Sequence, residues 1–126
     1  MRKLAEDTLV AIGRMVVAAT ELEHVLAWIG ADRAGGDAAA VFAQPGAALR
    51  AARGSVEFAP PAYRDEFIGT VEAAGTQLAR SQAALRAMWR VDGRTDAATF
   101  DEIATRLLRC RDALQVLIQA QLNTVR

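Results

Sequence analysis

Residues 60–89 read PPAYRDEFIGTVEAAGTQLARSQAALRAMW, and this stretch decides the fold. Phe67, Val71, Ala74, Leu78, Ser81, Leu85 and Met88 recur at alternating steps of four and three. That spacing keeps one stripe of a helix turned toward a neighbouring helix over many turns, as a packed bundle requires. Pro60-Pro61 marks the beginning. A proline's preset φ suits a first helical turn, where its missing N–H costs nothing. Asp92-Gly93 predicts the turn that ends the helix.

Two further stripes of the same spacing flank this one. Ala5, Thr8, Ile12, Met15, Ala19, Leu22, Leu26 and Ile29 form the first, closed by the glycines of residues 30–36. Phe100, Ile103, Leu107, Cys110, Leu114, Leu117 and Gln121 form the third, where Thr99 and Glu102 read as a reciprocal N-terminal cap. Between them the pattern weakens. Residues 37–44, DAAAVFAQ, predict a short helix capped by Asp37. Residues 45–56, PGAALRAARGSV, predict another that starts at Pro45 and ends at Gly54. The expected fold is all-α: a bundle of three long helices plus one or two short helices after the first, in a single domain over residues 1–126. No internal repeat and no plausible strand pair interrupts it.

Composition narrows the function classes. Hydrophobic residues are 52% of the 126 and charged residues 24%, enough to bury a core. Lys+Arg and Asp+Glu both number 15, so the net charge is zero. A protein that coats nucleic acid needs excess positive charge to displace counterions, and this chain has none. A neutral surface also does little to prevent self-association. The single cysteine, Cys110, cannot form an intrachain disulfide and suits a reducing cytoplasm. The first twenty residues are basic and then apolar. Glu6, Asp7 and Arg14 interrupt them, so neither a signal peptide nor a membrane span is expected. With one His, one Cys and no ligand-spaced cluster, no metal site and no cofactor are expected.

Val10, Val16, Val17 and Val25 lie off the first stripe, so the first helix is apolar over more than one face. Either the short connecting helices cover these valines or a partner does. A homodimer is the expectation, because small domains gain most from extra burial.

Several residues carry chemistry beyond packing. Glu23 and His24 flank the first stripe, where a carboxylate and an imidazole can do acid–base work. The structural alternative is a solvated pair, or a Glu23 salt bridge to an arginine of a neighbouring helix. Ser81 falls on a core position and needs a partner, which the carbonyl one turn earlier can supply. Arg80, Arg86 and Arg90 lie off the stripe, with Arg86 and Arg90 one turn apart on one face. Trp89 follows directly after the stripe, and Trp28 is read as a packing anchor. Cys110, on the third stripe, is expected to be a small buried hydrophobe. Arg106, Arg109 and Arg111 are placed to lower its pKa only if it is exposed.

Residues 12–26, IGRMVVAATELEHVL, and residues 78–92, LARSQAALRAMWRVD, resemble the HEPN group of small all-α proteins, particularly short bacterial ones. The group's later long helix carries Arg-Asn-x-x-x-His followed by a Trp. Aligned on Trp89, this chain has Ser81 in place of that Arg, Gln82 in place of the Asn and Arg86 in place of the His. The resemblance implies a helical bundle that dimerises through its motif-bearing helices. An intact motif implies a metal-independent ribonuclease. Here Ser81 cannot stabilise a phosphate as an arginine does, and Arg86 cannot accept a proton at neutral pH. Arg80, one place off, can stand in for the missing arginine, but nothing in the motif replaces the histidine.

The leading expectation is therefore a non-catalytic, HEPN-like interaction or regulatory module, cytoplasmic and dimeric, with a protein partner possible. The resemblance places such modules in regulation or defence, toxin–antitoxin pairs included. Two alternatives stay open: an RNA-binding protein or residual ribonuclease using the residues 80–90 face, and a small-ligand bundle with a pocket lined by Trp28, Met88 and Trp89.

Overall fold

The computed structural model describes residues 4–34, 37–44, 46–90 and 96–124, the side chains of 32–34 and 122–124 excepted. The helices are α1 (Glu6–Ala34), α2 (Ala38–Phe42), α3 (Ala47–Gly54), α4 (Pro61–Ala87) and α5 (Ala97–Thr124), with a short 3-10 turn at Val56–Phe58 before α4. Among the described residues there is no strand. This is the all-α bundle of three long helices, with two short ones after the first. No helix among the described residues is long and apolar enough to cross a membrane.

Local chemistry explains the boundaries. The Asp37 carboxylate accepts the Ala39 amide at 3.0 Å and caps α2. Gly46 opens α3 in the left-handed region at φ 76°, which a glycine adopts without strain. Pro61 takes the first position of α4, as its sequence predicts. One cap differs from expectation. The Asp96 carboxylate accepts both the amide of Thr99 at 3.0 Å and its hydroxyl at 2.7 Å, so Asp96 caps α5 and Thr99 is already inside the helix. Asp96 stands three residues before the expected Thr99 cap, and it takes the cap position because the backbone is already helical from Ala97. The turn expected at Asp92-Gly93, the start at Pro45 and the last glycines of residues 30–36 lie outside the described residues.

Asp96 makes stability pH-dependent. The Thr99 hydroxyl and amide hold its carboxyl below the ordinary value. Arg53, bonded to Glu72 at 2.8 and 3.0 Å between α3 and α4, does the same to the Glu72 carboxyl. Both folded-state pKa values lie below their unfolded ones. Their stabilisation is therefore present above the unfolded-state pKa and lost as pH falls through the folded-state value. The expected result is that Asp96→Ala melts below the parent at neutral pH and that the gap narrows on acidification. Circular-dichroism melts across that range check it, and a gap that stays constant or widens rejects it.

The core lies between the three long helices. Phe67, Val71, Ala74, Leu78 and Ser81 of α4 and Met88 just past its end are all buried, and Leu85 is half-buried. Phe100, Ile103, Leu107, Leu114, Leu117 and Gln121 of α5 are buried too. On α1, Met15, Leu22, Leu26 and Ile29 face inward. Toward its N-terminus the buried positions are Ala11 and Ala18, while Ile12 and Ala19 are half-buried and Ala5 is exposed. Small alanines on that flank let α5 approach α1, and this rotates the buried line by one residue.

Two close contacts set the arrangement. Gly30 of α1 sits directly against Ala51 of α3, with no room for a side chain between them. Leu49 and Arg53 of α3 reach Gly75 and Glu72 of α4. The short helix α3 thus lies on the C-terminal half of α1 and the middle of α4. The ion pairs Arg14–Asp101 and Glu21–Arg111 then show α1 and α5 running parallel, since residue numbers rise together on both. The α4 helix packs on α5, and the stretch between Ala87 and Ala97 is too short to carry the chain back along a helix of 27 residues, so α4 runs antiparallel to α5 and hence to α1.

Candidate functional site

Residues 80–89 do not converge into one site. Ser81 is 4% exposed, and its hydroxyl donates to the Leu78 carbonyl at 2.7 Å. That bond uses the hydroxyl's one proton locally, as its position in the sequence predicts, and burial keeps its remaining lone pairs away from a ligand in solvent. Arg80 turns its guanidinium to Gln77 at 3.4 Å. Six residues of helix set Arg86 about 120° around from Arg80. Both are exposed, as is Arg90. Trp89 is 67% exposed just past the end of α4.

Glu23 and His24 are separated by the same geometry. Glu23 is half-buried, and burial pushes its carboxyl above the ordinary value. The salt bridge considered for it does not form: among the described residues Glu23 has no ion-pair partner. Arg80 is turned to Gln77 and Arg86 stays in solvent. His24, one residue on, points about 100° away. Its ring meets Phe42 of α2 edge-on, with centroids 5.4 Å apart at 81°. It lines a cleft with Thr20, Val25 and Gln115, on the side of α1 away from α4, so it does not stand beside residues 80–89. Trp28 lines a neighbouring cleft with Gln115 and Gln119. Met88 is in the core, Trp89 is exposed past the end of α4, and neither lines the cleft that Trp28 lines.

Cys110 is half-buried rather than fully buried. Burial raises its thiol above the ordinary value, and the arginines around it do not reverse that. A raised pKa leaves little thiolate at neutral pH. A disulfide exchange reagent is therefore expected to modify the folded chain more slowly than the unfolded chain in denaturant. Equal rates would contradict this. Among the described residues no three His, Cys, Asp or Glu side chains cluster closely enough to hold a metal ion.

The prominent surface feature is elsewhere. A groove runs between the parallel helices α1 and α5, from Gly13 and Asp101 to Trp28 and Gln119. Its widest part has a volume of about 730 Å³ and is floored by Val17, Ala18, Ala104 and Leu108. Arg14 and Asp101, 3.6 Å apart, bridge one end. Glu21 and Arg111, the latter also bonded to Asp112 at 2.9 Å, bridge the middle. Beside the groove α1 leaves Leu9, Val10, Val16 and Val17 in solvent, with Val17 57% exposed. The short helices reach only the C-terminal half of α1, so of the four off-stripe valines they help to cover Val25 alone. The excess of apolar residues on α1 was the sequence signal for this surface. The α5 side, Ala104 and Leu108 next to the core stripe, had none.

No protein-family model, no curated protein and no solved structure matches the chain.

Proposed function

We propose that this chain is a non-catalytic helical interaction module, acting through the face of α1 that Leu9, Val10, Val16 and Val17 leave in solvent. That uncovered face carries the reading. Soluble monomers seldom expose contiguous apolar surface, and where they do it serves association. The chemistry on α4 supports the non-catalytic part. Arg86 stands where a proton acceptor would be needed, Ser81 has satisfied its own hydroxyl, and His24 faces α2 and α5. The resemblance to the HEPN group agrees with the non-catalytic part, its cutting motif being replaced at each of its three polar positions, while the α1 surface departs from the motif-bearing helices through which that group pairs. By that resemblance the module belongs to cytoplasmic regulation or defence.

Light scattering on the parent and on a Val16→Glu, Val17→Glu chain tests the reading. The parent is expected in an assembly, with itself or with a stoichiometric partner retained from its native source. The double variant is expected as a folded monomer. A parent that is monomeric and partnerless overturns it.

A second reading rests on Arg86 and Arg90, one turn apart beside an exposed Trp89, with no carboxylate paired to them among the described residues. Guanidinium and indole together suit single-stranded RNA. Titration with labelled RNA at low and high salt decides this. Salt-sensitive binding lost in Trp89→Ala supports it, and binding absent at low salt rejects it. Cleavage of the RNA would reject the non-catalytic reading.

A further inference from the structure

We infer that the uncovered face of α1 is a two-fold self-association surface: a second copy lays its α1 antiparallel across the first, with Gly13 at the crossing. The inference rests on reading this face as the docking surface and names its occupant.

Gly13 is the first reason. It sits inside α1, where a glycine is unfavourable. Its backbone is not in the positive-φ region. A Cβ built on it would meet nothing within 4 Å. Nothing within one chain therefore calls for a glycine there. A helix of another molecule crossing at that point does, because a missing side chain lets two backbones approach closely.

The second reason is the symmetry of its surroundings. Leu9 and Val17 stand four residues to either side of Gly13, and Val10 and Val16 three to either side. All four are exposed on the same face. In an antiparallel two-fold pair, a residue n positions before the axis meets the residue n positions after it. Leu9 of one copy then meets Val17 of the other, and Val10 meets Val16. Each apolar side chain finds an apolar partner, and only Gly13 meets itself.

Area and charge agree with a second copy as the occupant. The chain exposes 7804 Å². A compact monomer of 13.5 kDa exposes about 6,500 Å². A surface larger than that of an average compact monomer leaves room for a standard interface, to which each partner contributes ~800 Å². The rim charges Arg14, Asp101, Glu21 and Arg111 are already paired within one chain, and the net charge is zero. Two copies therefore meet without repulsion. The outer face of α4 also has an open glycine, Gly69, and an exposed Ile68, but it surrounds them with Asp65, Glu72, Thr76, Arg80 and Arg86, which suit water rather than an apolar pairing.

Sedimentation velocity of the full chain, alone, tests the inference. The parent is expected as a dimer. Val17→Glu is expected to raise the dissociation constant at least ~100-fold with its helical spectrum retained, because each copy would bury an unpaired carboxylate. In a Cys110→Ser background, Gly13→Cys is expected to give a disulfide-linked dimer under mild oxidation and Arg86→Cys is not. A parent that is monomeric alone but binds a different protein, with binding lost in Val17→Glu, overturns self-association and leaves the interaction-module reading standing. A monomer that binds nothing through this face overturns both. A dimer unaffected by Val17→Glu, or one cross-linked as readily through Arg86→Cys, overturns the proposed geometry.

Discussion

A Gly30→Val chain is expected to be about 3 kcal/mol less stable than the parent, the cost of overpacking against atoms that cannot move aside. A Cβ at position 30 would fall 2.5 Å from the Ala51 Cβ and 2.7 Å from its carbonyl carbon. These are a methyl and a backbone, not the tip of a flexible side chain. The only relief is to push α3 away from α1. That would also strain the Arg53–Glu72 bond that ties α3 to α4. Helix propensity works the other way, since replacing a glycine inside a helix commonly gains up to ~1 kcal/mol. The gain is smaller than the overpacking cost, and smaller still for a β-branched residue. Urea denaturation at one fixed protein concentration measures the difference. A midpoint equal to or above that of the parent would show that α3 does not pack here.

Phe67→Ala is expected to cost about 4 kcal/mol, the usual range for emptying a buried aromatic site. Phe67 is wholly buried in the first turns of α4, among the side chains of the core. Removing its ring leaves a cavity that the main chain of a packed helix cannot collapse to fill. Small domains are typically stable by only ~5–15 kcal/mol, so the loss is a large share of the total. Its neighbour Ile68 is the internal control. It is 40% exposed on the outer side of α4. Ile68→Ala should change the denaturation midpoint far less. If the two substitutions proved equally costly, the assignment of the α4 core face would be wrong.

The contrast between these adjacent residues shows how legible the bundle is. On α4 and α5 the four-three stripe names the inward side chains almost without exception, down to Ser81 and Gln121. On α1 the stripe misplaces two turns, because that helix is apolar on more than one side and periodicity alone cannot rank the sides. The α5 cap shows a second kind of miss. Thr99 with Glu102 and Asp96 with Thr99 both satisfy the chemistry of a helix start, and only the backbone path chooses Asp96. The functional residues fared differently. Arg80, Ser81, Arg86, Trp89, Glu23 and His24 were singled out by residue type. Their directions around two helices keep them from forming one site.

The amino-acid sequence by itself determined that this protein is a bundle of long helices, because a repeat of 3.6 residues per turn puts a fixed set of side chains on one face wherever the helix goes. It also determined the short helices, through Asp37 ahead of α2 and Gly54 at the end of α3. Only the tertiary structure decided which faces go uncovered. The length of α3 and its seat on Gly30 confine the short helices to one half of α1. The other half, with Leu9, Val10, Val16 and Val17, is left in water beside a parallel α5. Burial depends on what each face meets, and a face's neighbours are set by contacts between residues far apart in the chain.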